Sequence, residues 1–79
     1  MIVFEFNKKD EQLEIHGTSV DLQSLSSILS NLAKRAGDHE HLMTPSWSGD
    51  ELGENLVDKK DQLINHVKIF CWDSVPISE

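Results

Sequence analysis

Apolar and polar residues alternate from the start of the chain. Ile2, Phe4 and Phe6 are separated by Val3, Glu5 and Asn7, the period of two that a strand shows when one face meets a core. After the polar run Asn7-Lys8-Lys9-Asp10-Glu11-Gln12, Leu13 and Ile15 alternate with Glu14 and His16. The chain is therefore expected to return as an antiparallel hairpin ending at Gly17. Three- and four-residue spacing follows: Leu22, Leu25, Ile28, Leu29, Leu32, Ala33 and Ala36 form one stripe of a helix, expected to pack on the hairpin. Thr18 and Asp21 have the spacing of a capping box at its start. Lys34 and Arg35 suit the negative end of the helix dipole, and Gly37 suits a left-handed closing residue.

Beyond the helix, His39 to Thr44 reads as a third strand that Pro45 must end, because proline cannot donate to a strand ladder. Ser46 to Asp61 places Gly49 and Gly53 among Leu52, Leu56 and Val57 and reads as a long connection. Leu63 to Trp72, rich in β-branched and aromatic residues, predicts a fourth strand. Leu63, Asn65, Val67, Ile69 and Cys71 are expected to face the helix, with Ile64, His66, Lys68, Phe70 and Trp72 on the other side. The order β-β-α-β-β predicts an α+β fold with one helix packed on a mainly antiparallel four-stranded sheet. One helix covers one sheet face, so Phe70 and Trp72 are expected to form an exposed aromatic patch unless the 46–61 segment folds over them. Ser74 to Glu79 is expected to be a loose tail.

Seventy-nine residues suffice for a single domain spanning 1–79, and an apolar share of 38% makes its core thin. A partner that binds the native state would then add noticeably to stability. Cys71, the one cysteine, cannot form an intrachain disulfide. The Met-Ile-Val-Phe-Glu start has neither the basic region nor the apolar run of a secretory signal, so a cytoplasmic location is expected. No run approaches the length needed to span a bilayer, and membrane association is not expected.

A net charge of −7 repels phosphate backbones and argues against direct nucleic-acid binding. Residues 38–61 concentrate that charge: Asp38, Glu40, Asp50, Glu51, Glu54, Asp58 and Asp61 stand against Lys59 and Lys60 alone. Such a local field either keeps the surface solvated or steers a cationic partner. Trp47, between two serines and after Pro45, is either a loop anchor tucked into the core edge or an interface anchor beside Asp50, Glu51 and Glu54.

Catalytic chemistry has little to work with. Glycine-rich phosphate loops are missing, and Cys71 stands between Phe70 and Trp72 on the expected inward face with no placed base. His39 and His41 share one side of a strand, and His66 or His16 could add a third metal ligand; ordinary surface histidines explain the same pattern. Neither a cofactor nor an enzyme is expected.

The segment "HEHLMTPSWSGDELGENL" followed by "LINHVKIFCW" resembles the immunity protein 32 family of bacterial polymorphic-toxin systems, over most of residues 2–72. The resemblance rests on His39, His41, Leu42, Trp47, Gly49, Leu52, His66, Val67, Ile69 and Trp72. It implies a small α+β cytoplasmic protein, encoded beside a toxin, that binds and inactivates that toxin without catalysis. An acidic surface suits a basic, nuclease-type target. The partner-binding residues expected on this basis are Trp47, Asp50, Glu51, Glu54, Asp38, Glu40, Phe70 and Trp72. Alternatives are a phage or mobile-element inhibitor that mimics nucleic acid with rows of carboxylates, a small histidine-metal-binding protein, and a homo-oligomer paired through its aromatic faces.

Overall fold

The computed structural model describes residues 1–75. Strands β1 (Val3–Asn7) and β2 (Gln12–His16) form the expected antiparallel hairpin, with Phe4 opposite Ile15 and Phe6 opposite Leu13. Helix α1 (Ser19–Leu32) follows, then β3 (His39–Met43), a 3-10 turn (Pro45–Trp47), β4 (Gln62–Leu63) and β5 (His66–Phe70). Thr18 and Asp21 close the capping box reciprocally: the Asp21 amide donates to Thr18 Oγ1 at 3.2 Å, and the Thr18 amide donates to the Asp21 carboxylate at 3.0 Å.

The helix stops short of the expected Ala36. Ala33 is its closing residue, and Lys34 and Arg35 follow in tighter turns, their amides donating to the Asn31 and Leu32 carbonyls. Arg35 instead binds Asp38 and Glu40, an attraction from outside the helix that its own periodicity does not reveal. Gly37 takes the expected left-handed conformation, with φ of 86°, at the end of this turn.

The single four-stranded sheet is replaced by two: β2-β1-β4 and the ribbon β3-β5, antiparallel throughout. The predicted last strand changes partner halfway. Ile64 donates its amide to the Phe4 carbonyl at 2.9 Å, whereas the Asn65 carbonyl accepts from Thr44 at 3.0 Å. Fully buried Thr44 also donates its hydroxyl to Asn65 Oδ1 at 2.7 Å, fixing the switch with a satisfied polar pair. This break resets the alternation, so Ile64 packs on the core with Val67 and Ile69 instead of facing away as expected.

Leu52 joins the two sheets a second time. Its amide donates to the Met43 carbonyl, the next amide, of Gly53, donates to the Ile2 carbonyl, and its side chain is buried with Ile2, Phe4 and Leu42. Leu25 and Ile28 lie against this cluster, so α1 covers the junction of the sheets and, of the hairpin, the β1 side that carries Phe4. Leu13 and Ile15, on the face of β2 expected inside, are exposed for that reason. Gly49 permits the chain to fold back here: a Cβ on it would lie 2.4 Å from the Met43 carbonyl oxygen.

The 46–61 connection covers only part of the second face. It buries Val3 and Glu5 of β1, the Glu5 carboxylate accepting the amides of Val57 and Asp58, and it leaves Phe70 and Trp72 in solvent. Asp61 is buried beside Glu5. Burial, together with the Glu5, Glu14 and Asp58 carboxyls, raises it from the ordinary 3.8 to about 6. The folded chain therefore holds a proton that the unfolded chain releases. The stability this gives is complete below pH 4 or so and is lost as pH rises through about 6. In chelator-containing buffer, Asp61→Asn is expected to raise the melting temperature at about pH 7.5 and to leave it unchanged at about pH 4. Equal shifts at both pH values would show that the carboxyl is not the cause. Of the tail expected over 74–79, residues 76–79 lie outside the described residues.

Candidate interaction face

Alternation along β3 and β5 sends Glu40, Leu42, Val67 and Ile69 to one face of the ribbon and His39, His41, Met43, His66, Lys68 and Phe70 to the other. On that second face the rings touch in sequence. Trp72 stacks on Phe70 with centroids 5.8 Å apart, and Phe70 lies 5.6 Å from His39. His39 meets His41 edge-on at 4.9 Å, His41 stacks on His66 at 5.0 Å, and His66 lies 5.9 Å from Trp47. Six rings thus cross the ribbon from end to end, and Lys68 sits 4.8 Å over the Phe70 ring. Trp47, Phe70 and Trp72 keep 54%, 48% and 51% of their surface in solvent. Trp47 is therefore not the buried loop anchor.

The imidazoles carry the polar chemistry of this face. His41 Nδ1 and His66 Nε2 are 2.7 Å apart, a contact in which one ring must donate and the other accept. Partial desolvation first, and then His39, His66 and Lys68, hold His41 below the usual imidazole range, with Glu40 opposing. The three histidines weighed as weak metal candidates, His39, His41 and His66, share the face without converging on one point. Among the described residues, the triad whose donor atoms all lie within 4.8 Å is Glu5, Glu14 and His16, on β1 and β2.

The expected acids fall into separate groups. Asp38 and Glu40 lie at the start of β3 and share Arg35, whose Nη2 is 2.5 Å from the Glu40 carboxylate. Glu51 accepts the Met43 and Asp50 amides at 3.0 Å each, and Glu54 accepts the Ser46 amide at 2.5 Å, so both hold the loop that carries Trp47. The Asp50 side chain first, and then the Asp50 and Met43 amides, lower the Glu51 carboxyl; the Ser46 side chain and then its amide lower Glu54, while the adjacent Glu51 raises Asp50. The two groups stand toward opposite ends of β3, a five-residue strand about 15 Å long. Asp58 and Asp61 belong to the Glu5 pocket. Sequence reasoning missed Arg35 as partner of two of these acids, and it missed Glu5, whose place among alternating residues gave no sign that a loop would cover it.

A family comparison bears on this ribbon directly, since the model of Immunity protein 32 matches residues 12–74, the whole of β3, the turn and β5 included. The chain belongs to the Immunity protein 32 family. Membership agrees with the resemblance carried by His39, Trp47, His66 and Trp72, although the match begins after β1. An immunity protein family implies an inhibitor with a protein toxin as partner, not an enzyme. No curated protein and no solved structure matches the chain. Among the described residues no helix is long and apolar enough to cross a membrane.

Proposed function

We propose that this immunity protein neutralises a basic, nuclease-type toxin by seating the outer face of the β3–β5 ribbon over the toxin's substrate cleft. The observation that carries this reading is the exposed file of six rings on a chain of this family. Large aromatic surfaces left in solvent on a small domain mark contact sites, and tryptophan at such sites supplies much of the binding energy. Trp47, Phe70 and Trp72 are the anchors. Asp38 at one end, and Asp50, Glu51 and Glu54 at the other, form the acidic rim that steers a cationic partner, with Glu40 adding its charge from the other face of the ribbon. Co-expression with a toxin domain encoded beside this chain tests the function: survival is expected with the wild type, and death despite soluble immunity protein would refute it.

Two further results are expected of the same complex. Glu51 and Glu54 hold the loop, so salt is a cleaner probe of steering than their neutralisation. The association rate should fall at least about tenfold between roughly 0.05 and 0.5 M salt; a flat profile would remove steering from the mechanism. Acidification adds positive charge to His41 beside Lys68, later than for a free imidazole because His41 is held below the usual range. Affinity for a basic toxin is therefore expected to weaken as pH falls from about 7.5 to about 5.5, as measured by titration calorimetry. Unchanged affinity would place His41 outside the contact.

A further inference from the structure

The Glu5 pocket lies away from the ring-bearing face, and its side chains are not a self-sufficient set. Glu5 is fully buried, and His16 Nε2 stands 3.5 Å from its Oε2 and 3.0 Å from Glu14 Oε1. Asp61 is only 7% exposed, and neither of its carboxylate oxygens has a hydrogen-bond donor. Among the groups that act on it are the carboxyls of Glu5 and Glu14, which are acceptors too. Two carboxyls therefore face one imidazole with a third, that of Asp61, beside them, and among the described residues no lysine or arginine pairs with any of the three. Like charges so placed require a cation or a proton between them.

We propose that Glu5, Glu14, His16 and Asp61 form a site for one divalent transition cation, zinc being the best match. Three donor atoms already lie within 4.8 Å of one another. Ligands about 2.0–2.2 Å from a tetrahedral zinc ion are about 3.3–3.6 Å apart, close to the 3.0 and 3.5 Å spacings around His16 Nε2. One nitrogen with carboxylate oxygens selects a borderline metal over magnesium or calcium. Asp61 gains a partner for its orphaned oxygens, and the ion ties the 57–61 segment to the hairpin. Glu14 and His16, both partly exposed, give the ion its way in.

Titration calorimetry and thermal melts of the untagged protein, stripped with chelator and then given zinc, test the site. One zinc per chain is expected, with a rise in melting temperature that chelator reverses. His16→Gln and Asp61→Asn should each weaken binding at least about tenfold while circular dichroism shows the fold intact. Magnesium should give no shift. Absence of zinc binding overturns the proposal, as does binding that neither variant weakens. Binding lost in His41→Ala and kept in His16→Gln overturns it too, since the ion would then sit on the ribbon.

Discussion

Replacing Leu52 with alanine is expected to cost about 2–5 kcal/mol, enough to leave much of the chain unfolded at 25 °C. The residue is 1% exposed and packs with Ile2, Phe4 and Leu42, and the backbone bonds around it tie Met43 of the ribbon to Ile2 of the other sheet. Truncation leaves a cavity where the two sheets meet, and the chain link at Ile64–Asn65 cannot close it. A chain of this size holds only about 3–5 kcal/mol in reserve. Urea titration followed by circular dichroism measures the loss. A cost below about 1 kcal/mol would mean that the sheets are held together elsewhere.

The second large effect concerns binding. Trp47→Ala is expected to weaken the toxin complex by about 2–4 kcal/mol, roughly 30- to 1000-fold, mainly through faster dissociation. Phe70→Ala should also remove the stacking partner of Trp72 and the ring beneath Lys68, so Phe70 and Trp72 are expected to be non-additive. Because all three rings are half in solvent, their removal should barely change the free protein's stability. That combination, lost affinity with an unchanged melt, separates an interface anchor from a packing residue. Unchanged affinity in Trp47→Ala would take Trp47 out of the contact.

Local signals were legible in the sequence wherever the cause was local. The alternation of residues 2–16 became the hairpin, and the three-residue spacing of Thr18 and Asp21 became the capping box. Pro45 ended β3 as expected. What escaped depends on contacts between distant segments. Arg35 leaves the helix for Asp38 and Glu40, and the strand expected at 63–72 divides because Ile64 finds Phe4 while Asn65 finds Thr44. Leu13 and Ile15 have a core pattern but no cover, because α1 lies over the sheet junction.

At the candidate face the sequence supplied the residue types and the register supplied their order. His39 and His41 share a side of any strand, but only the pairing of β3 with β5 places them between Phe70 and His66. Trp47 could be read as core or interface from its neighbours alone; the 3-10 turn after Thr44 sends it outward against His66. The acids looked like one patch in the sequence and divide in space, because Glu51 and Glu54 are used to hold the loop.

Hydroxyl-radical footprinting of the protein alone and bound to its toxin tests the ribbon face most directly, since it reads side-chain exposure ring by ring. Trp47, Phe70, Trp72, His39 and His41 are expected to lose reactivity together on binding, while Leu13, Ile15, Leu22 and Leu29 keep theirs. Protection of those four aliphatic residues, with the rings still reactive, would place the toxin on the helix and hairpin and contradict the account.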